Sequence, residues 1–236
     1  MERRTTSLLV LTPYEARTAA AVFERLFPSD ENGPGAIEIG VLAYLDRALA
    51  GAYRDKAEAY RLGLAALDLA ARRRGGVPFA DCSAEKQDAL LAELEQGVLP
   101  DFRIPPQRDF FEMLRAHLQE GLFADPAHGG NRDKLGWKLL GHPGIWLENS
   151  AEENLSPEPV TKGGKIQSLE DVGYSLEGAP SEPVDIPGYD PQRGAEPSSG
   201  PANVVLVGMG AMGSVVATRH RAKSARTGPS CRWTSS

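Results

Sequence analysis

From Thr12 to about residue 148 the apolar residues return at helical spacing and never fall into the alternation of a strand, which confines this part of the chain to an α-helical domain. Thr12-Pro13-Tyr14-Glu15 supplies a capping hydroxyl, a proline at the first helical position and a glutamate at the third, so a helix is expected to start there. Ala16, Ala20, Phe23 and Phe27 form its apolar stripe, and Pro28 with Asn32-Gly33-Pro34-Gly35 ends it. Ile37 to Ala50 and about Arg54 to Arg74 read as further amphipathic helices, carrying Leu42, Leu45 and Leu49, then Tyr60, Leu64 and Leu67, with Gly75-Gly76 as a stop. Ser83 is the expected N-cap of "AEKQDALLAELE". Asp109 to Glu120, with Phe110, Met113, Leu114 and Leu118 on one side, is a fourth or fifth helix, closed by Gly121. His117 on that helix reads as a surface or boundary residue, and Arg72-Arg73-Arg74 as a solvated helix end complementing the dipole.

The fold class expected is therefore mostly α, with a small helical domain over residues 10–148. Eight of the eighteen prolines fall between Ala151 and Pro201, among many Gly, Ser and Glu and almost no aromatic residues. Such text cannot bury enough apolar surface to offset its backbone entropy, so residues 149–202 read as a linker or extended arm, with short contacts expected around Ile166 to Tyr174. Residues 203–218 then write an apolar strand and Gly208-Met209-Gly210-Ala211-Met212-Gly213, the start of a dinucleotide-binding domain.

The chain is 41% hydrophobic, enough for a packed core, and no apolar run approaches the roughly 20 residues of a membrane-spanning helix. A formal charge of −6 argues against a general nucleic-acid binder. Cys82 and Cys231 alone give neither a disulfide framework nor a cysteine zinc motif. Arg3-Arg4 before "TTSLLVL" has the look of a twin-arginine signal, but its apolar part is short of an export signal's core, so the sequence as it stands reads as cytoplasmic.

The most specific text is "GLFADPAHGGNRDKLGWKLLGHPG", residues 121 to 144. It reads as a helix end, an Asp-Pro turn, a Gly-Gly-Asn turn that permits positive φ, and a short amphipathic piece holding Trp137 before a Gly-His-Pro-Gly stop. Through Asp125, Pro126, His128, Gly129, Gly130, Asn131, Gly136, Trp137, Gly141, Pro143 and Gly144 it resembles the hallmark of the gluconate 2-dehydrogenase subunit 3 family. The opening "LTPYEARTAAAVFERLFP" also looks like that family's. The resemblance implies an accessory subunit without catalytic residues of its own, which binds and stabilises a GMC-type large subunit. That subunit would hold the FAD and oxidise a sugar, sugar acid or polyol. A cytochrome c subunit often takes the electrons, and export by the twin-arginine route to the periplasm or membrane is typical.

The strand and glycines of residues 203–218 resemble the start of such a GMC flavoprotein, in which Gly208, Gly210 and Gly213 would let the backbone approach the FAD pyrophosphate. A working site expects an acidic residue about 20 positions further on, yet none follows Ser198, and residues 219–236 add five Lys or Arg without regaining a strand pattern. The stub is therefore read as vestigial, with no cofactor in this chain, and residues 219–236 as an out-of-frame continuation of a truncated fusion. The alternative is an oxidoreductase that binds flavin or NAD through the glycine turn. A third reading would assemble Asp125, His128, Asp133 and His142 into the metal site of a helical hydrolase, although no ligand spacing fixes it and a turn network accounts for the same residues. Trp137 and Trp146 suit either a core or a partner-facing surface.

Overall fold

The computed structural model describes residues 8–173 apart from 147, 159 and 161, and among these residues the regular structure is helical, with no strand. The glycines Gly208, Gly210 and Gly213, the stub 203–218, the tail 219–236 and the linker beyond residue 173 lie outside the described residues. No helix of the described residues is long and apolar enough to cross a membrane.

Helix α1 (Pro13–Leu26) starts where the capping text places it. The Thr12 hydroxyl accepts from the Glu15 N–H, and the Glu15 carboxylate accepts from the Thr12 N–H at 2.8 Å. The helix expected from Ile37 to Ala50 is two pieces, α2 (Ala36–Ile39) and α3 (Val41–Ala50). They are divided at Gly40, which takes φ 92° because it carries no Cβ. The segment expected from Arg54 is a 3₁₀ turn, Arg54–Lys56, leading into α4 (Ala57–Gly75), which Gly76 ends in the left-handed region. Helix α5 (Ala84–Gln96) begins after Ser83 as expected, although the serine side chain makes no capping bond. Helix α6 (Gln107–Phe123) runs two residues past Gly121, so that glycine does not close it; Val41 of α3 packs against the space its missing side chain leaves. The short helices α7 (Leu135–Leu140) and α8 (Ala151–Leu155) follow.

Helix α6 is the central element, packed against both α3 and α5, while α1 lies against α2, α4 and α5. Phe23, Tyr60, Phe79, Phe110, Phe111, Leu64, Leu67, Leu91 and Leu94 fill the core. Close packing also explains Gly63, since the Phe110 ring lies where its Cβ would stand. The three arginines at the end of α4 are ion-paired rather than merely solvated: Arg72 with Asp68, Arg73 with Asp101, Arg74 with Glu93. Glu24 is buried and holds the turn after α1, accepting from the N–H groups of Ser29 and Ile37 at 3.0 Å each. Burial pushes its carboxyl above the ordinary range.

Candidate functional site

The end of α6 explains the run from Asp125 to Gly144 residue by residue. A helix leaves its last carbonyls without intrahelical donors, and here the run supplies them. Past the last helical bond, from the Ala124 N–H to the Glu120 carbonyl, the Asn131 N–H takes the Gly121 carbonyl, both at 2.8 Å. The Trp137 indole N–H takes the Phe123 carbonyl at 2.8 Å and the Asn131 amide takes that of Ala124 at 2.9 Å. Asn131 also serves the next helix, its side-chain oxygen accepting from the Gly136 N–H at 2.9 Å at the start of α7. Asn131 is wholly buried and sits at φ 45°, a left-handed conformation that asparagine tolerates better than other side chains. The structure thus places Trp137 in the core, 5% exposed, as part of the cap.

The glycines divide by cause. Gly129 takes φ 98° and Gly141 φ 67°, so both are there for conformation. Gly130, within the turn expected to need positive φ, does not have it; a Cβ there would instead run into the Gly121 carbonyl. Gly136 is likewise pressed against the Leu122 carbonyl. Asp125 and Pro126 start a 3₁₀ turn in which one carboxylate oxygen of Asp125 accepts from the Ala127 N–H at 2.9 Å. His128 and His142 are exposed; the latter lies beside the Trp137 ring and its Nδ1 accepts from the Gly144 N–H at 2.8 Å. Among the described residues no three His, Cys, Asp or Glu side chains could share an ion, so Asp125, His128, Asp133 and His142 form turns there and not a common centre.

Residues 162–173, in the stretch read as linker, lie back over this run. Gln167 pairs with Gly144 in a parallel bridge, its carbonyl accepting from the Ile145 N–H at 2.7 Å and its N–H reaching the Pro143 carbonyl at 3.3 Å. The Leu169 N–H donates to the second oxygen of Asp125 at 2.9 Å. The Asp171 carboxylate accepts from Lys134 Nζ at 2.5 Å and from the N–H and hydroxyl of Ser168. These donors, Lys134 first, hold its carboxyl down at about 2. Between run and arm lies a cleft of about 520 Å³ lined by Arg132, Asp133, Lys134, Lys138, Ile166 and Glu170.

A second cleft, of about 450 Å³, is lined by His128 together with Tyr44, Arg47, Tyr53 and Glu120. Both phenols donate to the Glu120 carboxylate, Tyr44 at 2.5 Å and Tyr53 at 3.1 Å. Burial and the neighbouring carboxylate raise both phenol pKa values above the ordinary range. His117, expected at the surface or its boundary, is 5% exposed, stacked on the Tyr53 ring and nearly parallel to that of Tyr60, with its Nδ1 2.8 Å from the Tyr60 hydroxyl. Desolvation lowers its pKa. The spacing of His117 and Glu120 puts them on neighbouring positions of α6, which was legible; their tyrosine partners come from three separate segments and were not.

The model of the family described as gluconate 2-dehydrogenase subunit 3 matches residues 13–144, more than half of the chain, ending where the α6 cap ends and before the arm begins. No curated protein and no solved structure matches the chain.

Proposed function

Because the chain belongs to the gluconate 2-dehydrogenase subunit 3 family, we propose that it is an accessory subunit of a gluconate 2-dehydrogenase-like complex, binding and stabilising a GMC-type flavoprotein. The partner would hold the FAD and oxidise a sugar, sugar acid or polyol, with a cytochrome c subunit as electron acceptor. In this reading the helical domain does no chemistry and accompanies the flavoprotein through folding and twin-arginine export. The observation that carries it is the capped end of α6. Asn131, Gly130, Gly136 and Trp137 are spent on fixing one turn, which holds exposed groups such as His128, Asp133 and Lys138 on a rigid base. A rigid surface of this kind lowers the ordering cost of meeting a partner.

The test is to purify the tagged full chain from its native host under mild conditions. A GMC-type flavoprotein should co-elute with FAD and dye-linked dehydrogenase activity on gluconate, other sugar acids or polyols. Elution of the chain by itself, without flavin or activity, would count against the proposal. Flavin retained by the recombinant chain alone after desalting would instead support the alternative, a cofactor held by Gly208, Gly210 and Gly213.

A further inference from the structure

Three features of the surface that receives residues 166–171 are left unexplained by the α6 cap. Asp125 uses one carboxylate oxygen to start its own turn, and among the described residues its second oxygen accepts from the Leu169 N–H of the arm. Gly144 takes φ 80°, and a Cβ there would also run into the backbone of Gln167, so the space it leaves is filled by the arm. Asp133 and Lys134 both hold left-handed conformations, at φ 52° and 59°, which are strained for residues other than glycine. The second of these carries the ammonium that meets both Asp171 and the Ile166 carbonyl, the latter at 3.2 Å. Each of these groups lies in the part of the chain that the family model covers or at its last residue, whereas the segment they receive, residues 166–171, lies outside it. The receiving surface and its occupant therefore belong to different parts of the chain.

The contacts are those by which a groove takes a short peptide, here extended at Gln167 and wound into a 3₁₀ turn at Glu170–Val172. Main-chain groups of Pro143 and Ile145 pair with Gln167, a carboxylate receives the Leu169 N–H, Ser168 is buried at 2% exposed, and a lysine reads a carboxylate three residues further on. A second anchor stands ahead of them, where Lys162 Nζ lies over the Trp146 ring and donates to the Glu148 carbonyl at 3.0 Å and to Glu153. None of these contacts depends on the chain's being continuous between Ser156 and Lys162. We infer that the surface formed by Asp125, Lys134 and Pro143–Ile145 is a peptide-binding groove, and that residues 162–173 are its resident and exchangeable occupant. The groove selects a short extended stretch followed by a turn in which a small polar residue, Ser168, holds the carboxylate three positions on toward Lys134. The inference concerns the chain's own arm and holds whichever partner the subunit serves.

The experiment uses the full chain with a site-specific protease sequence inserted between the exposed Pro157 and Glu158, compared before and after cutting. The probe is a fluorescently labelled synthetic peptide of residues 162–173, followed by anisotropy. The cut chain should take up the peptide, and the intact chain should bind it at least about tenfold more weakly, because a tethered arm competes at a millimolar effective concentration. A peptide carrying Asp171→Lys should bind the cut chain about tenfold or more weakly, since it loses a charge-assisted bond. Lys134→Glu in the chain should reverse that preference, which also shows that the variant remains folded. Failure of the peptide to bind either form, equal binding by cut and intact chains, or equal binding of the two peptides would overturn the inference.

Discussion

Asn131 uses both the donor and the acceptor of one buried side chain. Its amide donates to the Ala124 carbonyl while its oxygen accepts from the Gly136 N–H. Alanine would leave two buried backbone groups without partners and keep the left-handed strain, so Asn131→Ala should lower unfolding free energy in urea by about 2–4 kcal/mol. Glycine would lose the bonds but relieve the strain, and should recover about 1 kcal/mol of that loss. The glycines give a sharper contrast. At Gly141 nothing stands near a new Cβ, so Gly141→Ala meets only the left-handed penalty of about 1–2 kcal/mol. At Gly130 the backbone is unstrained but the Gly121 carbonyl blocks a Cβ, so Gly130→Ala should shift the backbone and cost more than Gly141→Ala in the same assay.

His117 makes a pH prediction with a definite sign. Its folded pKa lies below the ordinary 6.5, first through desolvation and then through Lys56, with Glu120 opposing. Below pH 6.5 the unfolded chain therefore binds a proton that the folded chain refuses, and stability falls as pH falls through this window. Glu24, raised by burial, has the opposite slope, being more favourable when protonated. The two are separated by His117→Gln, which should reduce the loss of urea resistance between about pH 6.5 and 5.5 relative to the parent. An unchanged slope would assign the pH dependence to other groups.

At the scale of elements, the crossing of α4 and α6 depends on Gly63. Alanine at a helix interior ordinarily gains about 0.5–1 kcal/mol over glycine. Here the Phe110 ring occupies the place of the Cβ, and overpacking of this kind costs about 1–3 kcal/mol. The clash is the larger effect, so Gly63→Ala should lower the melting temperature despite its better helix propensity. Phe110→Leu on that background should recover part of the loss by making room.

For the whole molecule, the described fold extends past the helical domain to Gly173. A chain ending at residue 173 should melt above one ending at residue 148, because the shorter chain leaves Lys134 and one oxygen of Asp125 without the partners residues 169 and 171 provide. The advantage should depend on pH in a stated way. The Asp171 carboxyl is held at about 2 against an ordinary 3.8, so its contribution is fully present above 3.8 and disappears as the pH falls through about 2. Melting curves of the two chains between pH 6 and pH 2.5 should therefore converge toward the acid end. A constant difference would mean that the main-chain bonds, and not Asp171, hold the arm.

The sequence by itself determined the helices and the identity of the capping run, because these rest on local chemistry. Thr12 and Glu15 cap α1 from three residues apart, and apolar residues at helical spacing need only their own neighbours to declare a buried face. It also marked Gly130, Asn131 and Trp137 as special, and left the reason open. Tertiary structure decided that reason. Gly130 is set by a carbonyl nine residues earlier in the chain, His117 is buried because Tyr53 and Tyr60 arrive from other segments, and the arm turns back because Asp125 and Lys134 await it. Each depends on groups distant in sequence that only packing brings within a few ångströms, where an N–H, a ring or a carboxylate acts on its neighbour whatever the spacing that separates them along the chain.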